Sequence, residues 1–139
     1  MDELVRWLGE QFDEDERIAR DAADEVDGLS LGSEWRYDGR YVETVRERTM
    51  VAVGSQDFME PTIGTHIACH DPARVLREIA AKLAIVARYE FACRQAGDLS
   101  LAEEERDSWV KVAGALQSCV LCLAGPYAGR PGFRKEWAP

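Results

Sequence analysis

The pattern of apolar and polar positions predicts that the chain opens with an amphipathic helix. From Asp2 to about Val26 the apolar residues recur mostly three, four or seven positions apart, and acidic residues fill many of the other positions. Gly28 is a typical helix stop. We therefore expect the helix to end near Asp27 and to be followed by a connecting loop over Leu29–Ser33.

The next segment has the pattern of a β-hairpin. Asp38 and Gly39 lie between strand-forming residues, and this pair is typical of a two-residue type I′ turn. Such a turn places Tyr37 opposite Arg40 and Trp35 opposite Val42, with Trp35, Tyr37 and Val42 on one core-facing side. A third strand over Thr49–Val53 would complete an antiparallel meander, which is enough to be stable against helices.

Helical patterns fill the rest of the chain. A short helix is predicted over Thr62–Cys69, and a long one begins with Asp71 as N-cap and Pro72 in the first turn and ends at Gly97. Ser100 and Glu103 have the spacing of a capping box for the last helix, which ends at Gly125. The short link between the two long helices predicts that they are antiparallel. The core stripes are predicted to be Leu76, Ile79, Leu83, Val86 and Ala87 in the first long helix, and Trp109, Val112, Ala113, Leu116, Cys119, Val120 and Leu123 in the last.

Together these elements predict one α+β domain over residues 1–139. It consists of an acidic N-terminal helix, a three-stranded antiparallel meander, two long antiparallel helices and an ordered C-terminal tail. At 139 residues and 46% hydrophobic content, the chain is long and apolar enough to bury a core without a disulfide or a structural metal.

Charge narrows the classes of partner. The net charge is -9, and residues 1–27 hold 11 acidic and 3 basic side chains. Because binding to phosphate backbones or anionic lipid needs clustered Lys and Arg, we expect no direct contact with nucleic acid or a membrane surface. We also expect no signal peptide and no membrane-spanning segment, and hence a cytoplasmic protein with reduced cysteines.

The residues that could bind a metal are few. His66 and His70 are four apart, so on a continuous helix they could bind one metal ion, although Pro72 and Asp71 predict a helix break at His70. Cys119 and Cys122 form a single Cys-x-x-Cys pair. We favour partly buried histidines at a helix junction and core cysteines, and we keep a composite zinc site of His66, His70, Cys119 and Cys122 as the alternative.

The chain lacks the motifs of common enzymes. His70-Asp71 resembles the His-Asp doublet of metal-dependent phosphohydrolases, but that chemistry needs further ligands, and His66 is the only other histidine. The Gly-rich and Ser-centred motifs of nucleotide binding and serine hydrolysis do not occur. We therefore predict no catalytic residues and no cofactor.

Two segments could bind a protein partner. The run Asp13, Glu14, Asp15 and Glu16 could dock on a basic partner or mimic nucleic acid, although a solvated acidic face is the simpler interpretation. Tyr127, Phe133, Arg134 and Trp137 in the tail are residue types enriched at interface hot spots. They could equally fold back onto the core of this chain, which we favour.

The segment from His66 to Ile79 (HIACHDPARVLREI) resembles an actinobacterial and actinophage family, domain of unknown function 6221. The similarity extends to Asp2–Val5, to 13–16, to Trp35 and to the ending over 126–139. Members of that family usually carry Arg at the position of Cys69 and apolar residues around 119 and 122, so the resemblance argues against a cysteine-dependent metal site. The resemblance brings no activity, cofactor or catalytic residue with it.

From the sequence we thus expect a small non-enzymatic accessory factor that binds another protein. A homo-oligomer is a further assembly that the sequence leaves open. The alternative is a zinc-binding module or metal-dependent hydrolase that uses His66 and His70, with Asp71, Cys119 and Cys122 as further candidate residues. An acidic nucleic-acid mimic is a third interpretation.

Overall fold

The computed structural model describes residues 1–26, 29–30 and 32–138. Within these residues it contains four helices and five short strands, with single 3₁₀ turns after the last sheet strand and in the tail. Their bounds are α1 Asp2–Ala23, β1 Glu25–Val26, β2 Leu29–Ser30, β3 Trp35–Tyr37, β4 Val42–Thr44, β5 Met50–Ala52, α2 Pro61–Cys69, α3 Pro72–Gly97 and α4 Glu103–Ala124. The N-terminal helix, the small antiparallel sheet and the long helices confirm the α+β class.

The chain divides into two compact units. One unit comprises residues 1–12 and 80–139, and the other comprises residues 13–79. The division falls within α1 and within α3, so each of these helices contributes to both units.

In the unit of residues 13–79, β3, β4 and β5 form the predicted antiparallel meander, but the predicted hairpin register is wrong. Tyr37 pairs with Val42 rather than with Arg40, and Trp35 pairs with Thr44. The cause is the Asp38 side chain, whose Oδ1 accepts hydrogen bonds from the backbone N–H groups of Arg40 and Tyr41 at 2.8 and 2.9 Å. This local bonding widens the turn to four residues, 38–41, with Gly39 at φ +102°. The shift is by two residues, so Trp35, Tyr37 and Val42 still share a face.

The other face of the sheet buries a charge. Glu43 in the central strand is 1% exposed. Its Oε1 accepts a hydrogen bond from Arg36 Nη2 at 2.5 Å and lies 3.3 Å from Arg48 Nε. These two guanidinium groups compensate the buried carboxylate.

Helix α2 packs against β3 and β4 through a glycine. A Cβ atom at Gly64 would lie only 2.3 Å from Cδ2 of Tyr37. Tyr37 is fixed there because its hydroxyl donates a hydrogen bond to the Met59 carbonyl at 2.9 Å. The glycine that weakens the helical pattern of α2 is therefore what permits its contact with the sheet.

The junction between α2 and α3 follows the prediction. Asp71 Oδ1 accepts a hydrogen bond from the Arg74 backbone N–H at 2.7 Å, which is the N-cap bond. Its second oxygen accepts one from the Trp35 N–H at 3.2 Å. Asp71 thus caps α3 and also ties the start of α3 to β3.

The predicted end of α1 is wrong. The helix stops at Ala23, because Glu25–Val26 and Leu29–Ser30 pair as a small antiparallel ladder where a helix end and a loop were expected. The N–H of Gly32, at φ +67°, donates to the Ala23 carbonyl at 3.1 Å and satisfies the helix end. Asp27 and Gly28, on which the predicted stop depended, lie outside the described residues, as do Leu31 and Pro139.

The unit of residues 1–12 and 80–139 has an aromatic core. Trp7 of α1 lies with its ring centroid 5.2 Å from that of Trp137 and 5.8 Å from that of Phe133. Its Nε1–H donates to the Pro131 carbonyl at 3.0 Å. The fully or nearly buried residues of this unit are Leu4, Trp7, Leu8, Phe12, Val86, Tyr89, Ala92, Val120, Ala124, Tyr127 and Trp137. The C-terminal tail is therefore ordered by packing on the start of α1.

Helices α3 and α4 run antiparallel, as predicted. Phe91 of α3 contacts Trp109 of α4 edge to face, with ring centroids 5.5 Å apart. Ala87, one turn before Phe91 in α3, lines the same groove as Leu116, two turns after Trp109 in α4, so the two helices run in opposite directions. The predicted capping box does not form. The Ser100 hydroxyl donates to Asp98 Oδ1 at 2.7 Å instead, and Ala102 occupies the N-cap of α4 without a side-chain bond.

Candidate interaction surface

The hairpin of α3 and α4 presents two apolar rows to solvent. In α3 the row has spacings of four, three and four residues, and in α4 it has spacings of three, four and three. These are the spacings of a coiled-coil seam. We call the two rows the hairpin face, which consists of Ala80, Ala84, Ala87 and Phe91 in α3 and Val112, Ala115, Cys119 and Cys122 in α4, all of them exposed.

The two rows lie side by side. Ala87, Phe91, Val112 and Ala115 line one groove of about 650 Å³ between the helices. Trp109, Leu116 and Arg88 also line this groove. Beyond this groove the two rows extend along their own helices, to Ala80 in α3 and to Cys122 in α4.

Two large apolar side chains of the hairpin face are well exposed. Phe91 is 46% exposed and Val112 is 42% exposed. Residues 112–129 contain no charged side chain. An exposed apolar patch of this kind, flanked by charged residues, is typical of a surface that binds a protein or another ligand.

Residues Glu103–Tyr127 have the length and composition of a membrane-crossing helix, with a mean hydropathy of 1.3 in the most apolar window. The end of this segment is nevertheless held inside its unit. Val120 and Ala124 are fully buried, and Tyr127 accepts a hydrogen bond on its hydroxyl from Lys82 Nζ at 3.0 Å. These three residues therefore belong to the core of their unit, although only 11% of the most apolar window is buried inside the structure.

The cysteines are not where the sequence pattern predicted them. Cys119 and Cys122 were predicted in the core, but both are exposed thiols, as are Cys69 and Cys93. Leu83, Ala87 and Val112 were also predicted in the core and are exposed. The physical reason is that the apolar arc of each helix is wider than the contact it makes within the unit, so one edge of the arc faces solvent.

His66 and His70 are exposed rather than partly buried, which corrects the prediction. Although α2 ends at Cys69, the two rings lie close together with centroids 4.4 Å apart. His70 Nδ1–H donates to the His66 carbonyl at 2.9 Å, so Nε2 of the neutral ring keeps its lone pair. Among the described residues, no group of three or more His, Cys, Asp or Glu side chains could hold a metal ion.

The acidic run of α1 is engaged in ion pairs along its own helix. Glu14 pairs with Arg17, and Glu16 pairs with Arg20, at 2.8 and 2.6 Å. Arg17 also reaches Asp21 at 2.6 Å, and these carboxylates raise the pKa of its guanidinium. Asp13 and Glu14 are exposed and Asp15 and Glu16 are half-buried. A role for this run in partner binding stays a prediction.

The tail residues divide by burial. Tyr127 and Trp137 are almost fully buried, and Phe133 is half-buried against Trp7. Arg134 is exposed and forms an ion pair with Glu3. This packing accounts for the aromatic residues as part of the core of their own unit, and a partner role for the tail stays a prediction.

The sequence interpretation missed the hairpin face, although a signal for it was present. Phe91 lies in an apolar row outside the predicted core stripe of α3, whereas Val112 was placed inside the predicted stripe of α4, whose apolar arc is wide enough for two rows. Two offset rows on one helix indicate two contact surfaces. Only the fold shows which of the two is covered.

Comparison with known proteins gives one family match. No curated protein and no solved structure matches the chain significantly. One family model matches residues 1–139, from the first residue of the chain to the last. The chain therefore belongs to DUF6221, a family of unknown function.

Proposed function

We propose that this chain is a small, non-enzymatic protein-binding accessory factor, and that the hairpin face is its binding surface. The proposal rests on one observation: two apolar rows with coiled-coil spacing stand exposed side by side on α3 and α4. The matching surface on a partner is the apolar side of one or two amphipathic helices, since helices with 3–4 spacing pack into each other's grooves.

The side chains of the hairpin face suit protein binding rather than catalysis. Alanine, valine, leucine and aromatic side chains line the groove, together with one charged residue, Arg88. Phe91 and Trp109 contact each other there, and aromatic residues provide much of the binding energy of typical interfaces. The eight residues of the face, all within the described part of the chain, include no paired acid and base and no nucleophile beside a base, which catalysis would require.

Site-specific photocrosslinking in cells tests the proposal. The photoreactive residue benzoylphenylalanine is introduced in place of Val112 on the face, and in place of Ile63 on α2 as the matched control. Ile63 is also exposed and apolar, at 54%. We expect a stoichiometric protein adduct from position 112 and little from position 63. The proposal is wrong if position 112 gives no protein adduct, or gives the same scattered adducts as position 63.

A second candidate function is a metal-binding module, and the paired rings of His66 and His70 favour it. The free Nε2 of His70, oriented by the bond from its Nδ1, is the arrangement that metal-binding histidines commonly have. Elemental mass spectrometry of tag-free protein, with melting temperatures before and after chelation, tests this function. A metal-binding function requires that wild type carries stoichiometric metal and that the His66→Ala and His70→Ala variants lack it.

A further inference from the structure

We infer that Arg36 and Arg48, held by the buried carboxylate of Glu43, form a binding site for a phosphate group. The site belongs to the unit of residues 13–79 and goes beyond the proposed function, which concerns the hairpin face of the other unit. It is formed by β3, β4 and the turn between β4 and β5. Its chemistry is that of two guanidinium groups, which recognise phosphate oxygens through paired N–H donors.

One carboxylate oxygen brings the two arginines together. Glu43 Oε1 accepts hydrogen bonds from Arg36 Nε at 2.8 Å and from Arg36 Nη2 at 2.5 Å. The same oxygen lies 3.3 Å from Arg48 Nε. Because Glu43 is almost fully buried, it is a fixed anchor for both guanidinium groups. Two positive charges that would otherwise repel each other are therefore held side by side.

Both guanidinium groups keep donors for a ligand. Within the described residues, Nη1 of Arg36 and both Nη atoms of Arg48 have no hydrogen-bond or ion-pair partner. The side chains of Arg36 and Arg48 are 47% and 67% exposed, so a ligand can reach these donors. Three nitrogens with two N–H groups each match the several oxygens of a phosphate group better than the two oxygens of a carboxylate.

The charge of the cluster also suits a phosphate group. Two guanidinium groups and one carboxylate leave one net positive charge, on a chain whose net charge is -9. Asp38 also acts on Arg36, but its Oδ1 already accepts hydrogen bonds from the N–H groups of Arg40 and Tyr41. A phosphate group, with about two negative charges at neutral pH, therefore meets an excess of positive charge in this cluster.

Stability alone does not account for the cluster. Burying charges costs desolvation free energy, so apolar side chains can often replace a buried ion pair without loss of stability. Arg48 moreover has φ +56°, which costs free energy for a residue with a Cβ atom. The turn holds it there, because the Arg48 N–H donates to the Thr44 carbonyl at 3.1 Å and the Thr44 N–H donates to the Thr49 carbonyl at 2.9 Å. A strained residue that orients a charged side chain is typical of a ligand-binding site.

NMR titration of the full-length chain with sodium phosphate, at neutral pH and constant ionic strength, tests the inference. We expect the backbone amide and Nε–H signals of Arg36 and Arg48 to shift together and to saturate with a dissociation constant of about 1 mM or lower. Arg74 is the internal control, because this exposed arginine is paired with Glu78 in the same unit, and its signals should shift little. Sodium acetate at the same ionic strength should bind several-fold more weakly.

Two variants of Arg48 separate a binding role from a structural one. Arg48→Gly removes the donors and places at this φ a residue that adopts it without strain, so the chain should stay folded by circular dichroism. Its affinity for phosphate should fall at least ~10-fold. Arg48→Lys keeps the charge but loses the paired donors, and its affinity should fall several-fold. Arg74→Gln, the matched control, should bind phosphate like wild type.

Saturable phosphate binding that Arg48→Gly abolishes would support the site. O-phosphoserine as a second probe separates the sources, since tighter binding than inorganic phosphate indicates a phosphate ester, and equal or weaker binding indicates free phosphate. The inference is overturned by unshifted Arg36 and Arg48 signals, by binding that Arg48→Gly leaves unchanged, or by equal binding of acetate. These measurements do not involve the hairpin face, so their failure is distinguishable from failure of the proposed function.

Discussion

Replacing Gly64 by alanine should destabilise the chain, although alanine is the better helix former. The added methyl group would lie 2.3, 2.6 and 2.9 Å from three ring atoms of Tyr37, far inside ordinary contact distance. The ring cannot swing away freely, since its hydroxyl is bonded to the Met59 carbonyl. Overpacking costs about 1–3 kcal/mol, and a lost hydrogen bond costs about 1 kcal/mol more.

Helix propensity offsets part of this cost. Alanine is favoured over glycine inside a helix by about 1 kcal/mol, so the net loss in free energy of unfolding should be about 1–3 kcal/mol. Gly114 provides the matched control, because it also lies inside a helix but has no atom within 4 Å of the position that an alanine methyl group would take. Gly114→Ala should therefore stabilise the chain by up to about 1 kcal/mol.

Urea unfolding at one fixed protein concentration measures both variants. Gly64→Ala should shift the midpoint down, and Gly114→Ala should shift it slightly up. A Gly64→Ala variant as stable as Gly114→Ala would refute the close contact between α2 and β3.

Two further predictions concern the tail and the turn before α4. Trp137→Ala removes a buried ring from beside Trp7 and should lower the free energy of unfolding in urea by about 3–5 kcal/mol. Leu99→Ala is the control, because this side chain is 84% exposed, and it should change the free energy of unfolding by less than ~0.5 kcal/mol. Equal effects of the two substitutions would contradict the packed tail. The hydrogen bond from the Ser100 hydroxyl lowers the pKa of Asp98, so the stabilisation that this bond contributes is present above the ordinary Asp pKa of about 3.9 and is lost as the pH falls. NMR titration of Ser100→Ala should show a higher pKa for Asp98 than in wild type and an unchanged pKa for Asp38. An unmoved Asp98 pKa would contradict the assigned cause.

The sequence predicted the elements well where a local pattern decides the structure. The cap at Asp71, the stop at Gly97 and the order of the meander follow from residue chemistry within a few positions. The predictions failed where one local interaction outcompeted another. The Asp38 carboxylate bonded its own turn and widened the hairpin, and Ser100 bonded Asp98 instead of capping α4.

The surface could not be predicted in the same way. An apolar row shows that a helix face is covered, but it does not say by what. Val112 and Val120 were both predicted in the core stripe of α4, yet Val120 is fully buried and Val112 is 42% exposed. Which of the two rows the chain covers by itself depends on the packing of distant segments, here the start of α1 and the tail.

The most direct test of the hairpin face as a protein-binding surface is native-state alkylation of the cysteines, followed site by site with mass spectrometry. All four thiols are exposed in the single chain, and Cys119 and Cys122 lie on the face whereas Cys69 does not. Labelling of Cys119 and Cys122 relative to Cys69 should be several-fold slower in cells, where a partner is present, than in dilute purified protein, and Val112→Glu should abolish that difference. A labelling ratio that is the same in cells and in dilute purified protein would contradict the proposed role of the face.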